Sequence, residues 1–227
     1  MKKFRTDNST EDFYKNKKPH ELASAIKKLY EEMLKLKKAI EHPENDDHED
    51  YDKIEEIYSL REQLQIATLY LSDTNEKLPL PGFDVFSNAF EQKINNITEI
   101  SLETENWIPQ VQNTYEIHIT NSKFAKIKKI TGKRFFEKTT KESEIYKDHL
   151  FYQIKNLYID EWLTVYDPER FGYIFLDGCH WELTFTYCDG NAQKFTGNNS
   201  YPYNFILFLK IFDLDFEKAF QLEMNND

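Results

Sequence analysis

Cysteine, glycine and long apolar runs are all scarce in this chain, and each scarcity removes a class of protein. Only two cysteines, Cys179 and Cys188, occur in 227 residues. A disulfide framework is thereby excluded, and there is no Cys-x-x-Cys pair of the kind that holds zinc. Six glycines leave a phosphate-cradling loop few places to form. None of them falls in G-x-x-x-x-G-K-[ST], G-x-G-x-x-G or G-x-S-x-G, and H-E-x-x-H is also missing. No apolar run approaches the ~18 residues a membrane helix needs. The opening MKKFRTDNSTED has a basic start with no apolar stretch behind it, so no secretory leader is expected. The expectation is a cytoplasmic protein with no membrane contact.

What the chain does have is aromatic mass and negative charge. It carries 18 Phe, 14 Tyr and 3 Trp. Each buried aromatic removes roughly 150–250 Å² from water, so a modest number builds a core even when 30% of residues are charged. Disordered chains are poor in aromatics, and this one is not. The formal charge is −11, which makes the chain a poor general ligand for nucleic acid. The charge is uneven. Glu41 to Asp52 is almost entirely acidic, and Lys123 to Lys141 is locally basic.

Residues 1–18 read as a charged tail, 19–78 as a helical hairpin and 83–227 as an α+β domain. Leu22, Ile26, Leu29, Met33, Leu36 and Ile40 recur at alternating spacings of four and three, an amphipathic helical seam. Ile54, Ile57, Leu60, Leu64, Ala67 and Leu71 repeat the pattern. Two such helices joined by a short acidic loop pack as an antiparallel hairpin. The hairpin also offers a seam to a second copy of the chain. Pro79 and Pro81-Gly82 mark the boundary. Beyond it the pattern predicts a helix over 84–97, then an irregular stretch around Trp107. A strand over 115–120 pairs with 124–130, with Phe124 and Ile127 or Ile130 inward. A helix or broken pair follows over 143–166, and a return to sheet at 173–176. The fold class expected is α+β, a small antiparallel sheet with flanking helices.

The clearest local pattern lies between Asp177 and Phe212. Trp181, Leu183, Phe185 and Tyr187 alternate with His180, Glu182, Thr184 and Thr186, which predicts a strand with one apolar face. Asp189-Gly190 suits a tight hairpin turn. Gly197 is read as a positive-φ position, and Pro202 as the lead into a closing helix, interrupted near Asp213. Trp162, Asp177-Gly178, Trp181, Asp189-Gly190, Gly197, Asn199, Tyr201-Pro202 and Asn204-Phe205 together resemble a pattern at the C-termini of uncharacterised bacterial proteins, W…DG-x-x-W-E-L…DG…G-x-N-x-Y-P-x-N-F. The resemblance implies a bacterial or phage source and a compact sheet-plus-helix module. It carries no known activity.

Candidate chemistry is sparse. Cys179 and His180 are strand neighbours and face opposite ways, so they do not form a thiol–base pair. His180 and Glu182 share a face and would hold a metal only with a third donor; a solvated polar face is the competing reading. The loop residues Asp46, Asp47, Glu49 and Asp50 are candidates for docking a basic protein partner. Lys126, Lys128, Lys129, Lys133 and Arg134 are the candidate contacts to nucleic acid. No cofactor is expected. The functional expectation is a non-enzymatic protein–protein interaction protein of the inhibitor or immunity type. The alternatives are a metal-dependent hydrolase using His180 and Glu182 or the acidic loop, and a nucleic-acid contact through the basic strip.

Overall fold

The computed structural model describes residues 8–43, 50–74, 89–106, 111–132, 138–175 and 178–220. The chain divides into two compact units, one drawn from Met1–Ile40 and Asp50–Ser87, the other from Glu41–Glu49 and Asn88–Asp227.

The first unit is helical. α1 (Asn8–Lys15), α2 (Pro19–Ile40) and α3 (Tyr51–Ser72) are its described elements. α2 and α3 pack as the expected hairpin. Leu22, Ile26, Met33 and Ile40 of α2 are buried, with Leu29 and Leu36 half-buried beside them. All six apolar seam residues of α3 are buried. α1 lies within the segment read as a tail. It packs on α3, its Tyr14 is buried, and the Tyr14 hydroxyl donates to Gln63 Oε1 at 3.1 Å. The high charge of residues 1–18 hides this single anchoring aromatic.

The second unit is a seven-stranded sheet in the order β4-β3-β2-β1-β6-β7-β5. The strands are β1 (Ile97–Asn106), β2 (Val111–Ile119), β3 (Phe124–Gly132), β4 (Lys138–Tyr146), β5 (Val165–Tyr166), β6 (Cys179–Tyr187) and β7 (Ala192–Asn198). All neighbours run antiparallel except β5 beside β7. The unit's helices are α4 (Ala89–Ile94), α5 (Lys147–Lys155), α6 (Phe205–Leu209) and α7 (Phe216–Phe220). The sheet has a closed apolar face. Ile100, Leu102, Tyr115, Ile117, Trp181, Leu183 and Phe185 are fully buried on it, as are Phe205, Phe208, Phe212 and Phe220 from the C-terminal helices.

Several expectations change here. The helix read over 84–97 is helical at Ala89–Ile94 in its described part, and Ile97 opens β1, the central strand. The reason is a β-bulge. The register with β6 shifts between Ile97 and Glu99, so Thr98 is an extra residue. Ile97 and Ile100 therefore both face inward at a helical spacing of three, which masks the period of two. The segment read as a helix over 143–166 begins as β4, and only Lys147–Lys155 is α-helical. β4 is an exposed edge strand without apolar alternation, so periodicity is silent about it. Trp162 and Val165 fall outside the helix. Tyr173–Phe175 is not strand. In β3 the inward residues are Ala125 and Ile127, and Phe124 faces the other way. The paired 115–120 and 124–130 segments and the Asp189-Gly190 turn are as expected. So is the break at Asp213, a left-handed residue at φ 55.

Polar residues also sit on the closed face, and they serve one purpose. Thr104 Oγ1 (2.7 Å), Asn113 Nδ2 (3.0 Å) and the Tyr115 hydroxyl (3.3 Å) all donate to the Ala219 carbonyl. Asn106 Nδ2 donates to the Phe220 carbonyl at 3.4 Å. The last carbonyls of a helix have no partner within it, and here β1 and β2 supply donors to the end of α7. Asn113 Oδ1 also accepts from the Gly132 amide at 3.3 Å. Asn113→Ala should lower unfolding stability by about 1–3 kcal/mol, because it strands buried polar groups on both sides. A urea melt checks this, and an unchanged midpoint contradicts it.

Candidate interaction surface

The residues of the C-terminal pattern converge on one tryptophan. Trp181 is fully buried on β6, and its indole N–H donates to the Ser200 carbonyl at 2.9 Å. Opposite it in the register is Gly197 of β7. A Cβ on Gly197 would lie 2.2 Å from Trp181 Nε1 and 2.4 Å from the Ser200 oxygen. Gly197 is therefore needed for close approach and not for positive φ, as its place in the sequence had suggested. The positive φ belongs to Asn199, at 47°. Asn199 closes the ladder end. Its side-chain Oδ1 accepts from the Cys179 amide and its own amide donates to the Cys179 carbonyl, both at 2.8 Å. Gly178 (φ 131°) passes so near that a Cβ would strike the Asn199 side chain at 2.3 Å.

The second tryptophan repeats the device. Trp162 Nε1 donates to Asn204 Oδ1 at 2.9 Å, and Asn204 Nδ2 donates to the Leu157 carbonyl at 2.8 Å. Tyr201, Tyr203 and Phe205 complete the buried cluster. Burial pushes the Tyr201 phenol well above its ordinary range. Burial also pushes the Cys179 thiol up to about 11, against the smaller opposing effect of its hydrogen bond to Tyr201. A thiol held protonated is a poor nucleophile. Cys188 is exposed, and both cysteines are free. Every described residue of the pattern thus shapes backbone or fills the interior.

A charged clasp lies beside this cluster. Arg170 Nη2 meets Glu41 Oε2 at 3.1 Å and Ser200 Oγ at 3.4 Å. Its guanidinium stacks over the Tyr166 and Phe171 rings at 4.9 and 4.6 Å. Glu41 Oε1 accepts from the Tyr203 amide at 3.2 Å. Burial and the nearby Glu41 carboxylate raise the Tyr166 phenol. Nothing in the order of residues signals this clasp, because Glu41 and Arg170 are 129 positions apart.

The other face of the sheet is the polar one, and its side chains are exposed or half-buried. His180, Glu182, Thr184 and Thr186 lie on it as expected. Strand pairing sets them in rows with β1 and β2. Glu105 is opposite His180, Glu103 opposite Glu182, Ser101 opposite both Thr184 and Glu116, and Glu99 opposite both Thr186 and His118. Carboxylates dominate the middle of the face. His118 bridges two of them, with Nδ1 3.4 Å from Glu99 and Nε2 3.3 Å from Glu116. Lys128 reaches Glu116 at 3.5 Å and Lys194 reaches Glu182 at 2.6 Å. Glu103 and Glu182 are directly opposed like charges on adjacent strands, and Lys194 offsets part of that repulsion from the Glu182 side.

The sequence-predicted site residues scatter over this frame. Asp46, Asp47 and Glu49 lie outside the described residues, as do Lys133 and Arg134. Asp50 caps α3, its carboxylate accepting from the Lys53 amide at 3.0 Å. Lys53 and the capping bond hold that carboxyl below its usual range. The basic strip is divided by the strand period. Lys126 and Lys128 share the polar face with Phe124, and Lys129 takes the opposite parity with Ala125 and Ile127. Lys126 sits between His118 and Glu144, and Lys128 between Glu116 and Glu142. Lys126 and Lys128 therefore stand in a mixed-charge ladder, whereas Lys129 lies between Tyr115 and Lys141. His180 and Glu182 share a face, and among the described residues no three His, Cys, Asp or Glu side chains are placed to hold one metal ion. No described helix is long and apolar enough to cross a membrane.

Compared with known proteins, the chain matches no family model, no curated protein sequence and no solved structure.

Two outcomes follow. Gly197→Ala should cost about 3 kcal/mol or more, since backbone and indole must both move. Gly190→Ala, at φ 81° with nothing within 4 Å, should cost only about 1–2 kcal/mol of backbone strain. Denaturant melts compare them, and equal losses contradict the close-approach account. At pH 8 an alkylating reagent should label one thiol per native chain, Cys188, and two after unfolding. Rapid native labelling of Cys179 contradicts its burial.

Proposed function

We propose that this protein acts by binding another protein, without chemistry of its own, through the open polar face of the sheet, and that its partner presents a basic surface. The observation that supports this reading is the opposed pair Glu103 and Glu182 on the central strands. Like charges opposed across a ladder work against folding, and here the Lys194–Glu182 ion pair offsets only part of that effect. Stability given up at one place is a common mark of a functional surface. Glu99, Glu105 and Glu116 surround the pair, and the strands hold all five carboxylates at fixed spacing. A cationic partner surface converts that repulsion into attraction. The chain's net charge of −11 adds long-range steering toward such a partner. In this reading the protein works as an inhibitor or immunity protein does, by covering a basic surface, and it resides in the cytoplasm.

Glu103→Gln removes the repulsion and a binding charge together. It should therefore raise unfolding stability by about 0.5 kcal/mol and weaken partner binding. The check is capture of a basic protein from the native cell by wild type, Glu103→Gln and Glu103→Lys proteins, over a series of salt concentrations. Expected is a basic partner held by wild type, released by salt and lost from Glu103→Lys. Capture that ignores both salt and charge reversal contradicts the reading.

A further inference from the structure

β4 is one edge of the sheet. All nine of its residues pair with β3 on one side, from Phe124 opposite Tyr146 to Gly132 opposite Lys138. Among the described residues no strand pairs with its other side. Its side chains are exposed, apart from half-buried Ile145. A strand of that length with an open side presents a row of backbone donors and acceptors, which is the template for strand addition. Edges that are protected against pairing are short, bulged, proline-bearing, covered or charged. Among the described residues this one is long, regular in register and uncovered by another strand, and Lys138, Lys141, Glu142 and Glu144 are the charges that restrict what pairs with it.

Those charges have an order. On the polar face β4 presents Glu142, Glu144 and then Tyr146, a residue 63% exposed whose ring centroid lies 4.5 Å from that of Phe124. The geometry points to β4 as a docking edge for an extended segment of a partner protein, added antiparallel, with an aromatic residue opposite Tyr146 and basic residues opposite Glu144 and Glu142. Read from its N-terminus, that segment has the pattern aromatic-x-basic-x-basic. Cross-strand aromatic and opposite-charge pairs are the units that stabilise such a ladder. A second copy of this chain fits poorly. Symmetric pairing of all nine residues sets Glu142 against Glu142 of the copy, and like charges directly opposed repel. This edge shares the polar face with the Glu103–Glu182 pair but lies three strands from β1, and docking along it does not rest on that pair.

The test uses the full chain and a synthetic nine-residue peptide carrying Phe-x-Lys-x-Lys with threonine elsewhere. Two control peptides replace Lys by Glu, or N-methylate alternate amides. Amide NMR and fluorescence anisotropy supply the readouts. Expected is saturable binding that shifts and protects β4 amides. Binding should be about tenfold weaker in Glu142→Lys/Glu144→Lys, absent with N-methylated peptide and unchanged in Glu103→Lys. Circular dichroism establishes that each variant is folded. Equal binding of the Glu peptide or of the N-methylated peptide would overturn the proposal, as would the absence of any β4 shift. Protection of β4 amides by dimerisation of the chain alone would also overturn it and assign the edge to a second copy.

Discussion

The contact on which the C-terminal unit depends is the seat of Trp181 against the bare backbone of Gly197. An indole is the largest side chain available, and here it lies against a neighbouring strand with its N–H turned to the Ser200 carbonyl. That contact positions the chain leaving β7, which then turns through Asn199 and delivers Tyr201, Tyr203 and Phe205 to the core. Phe205 packs back on Trp181 with ring centroids 4.6 Å apart, closing the circuit. α7 in turn is held by β1 and β2 through the Ala219 carbonyl. Remove the notch at Gly197, and the helices that cover the sheet lose their registration with it.

The same sheet shows two chemistries because a strand alternates its side chains. On one face large aromatics meet, and Thr104, Asn106, Asn113 and Tyr115 find backbone partners. On the other face glutamate, histidine, lysine and threonine form rows. Catalysis needs convergence of a small number of groups on one point, whereas these rows spread charge over an area. The proposed partner binding rests on that spread of charge.

Legibility from sequence followed how strongly each element declares its period. The α2–α3 hairpin and β6 were readable because their apolar residues keep time over several turns or pairs, as Trp181, Leu183, Phe185 and Tyr187 do. β1 was not, although it is central. Its bulge at Thr98 breaks the alternation, and its inward face includes Thr104 and Asn106, polar residues whose partners lie more than 100 positions away. β4 was lost for the opposite reason, since an exposed edge has no apolar face to announce. Gly197 was recognised as special but for the wrong cause, because close approach and positive φ both call for glycine and only the fold separates them. The polar face was half visible. His180 and Glu182 were on the expected face, but the residues opposite them come from a strand that the pattern had concealed.

If the Trp181 seat holds the sheet and helices of the C-terminal unit together, the unit opens as one cooperative body. Native-state hydrogen exchange of the Trp181 indole N–H, followed against denaturant, addresses it most directly. The account predicts exchange only through global unfolding, with the free energy and denaturant dependence of the whole unit. Exchange through a cheaper local opening, while the β1 amides stay protected, would contradict it.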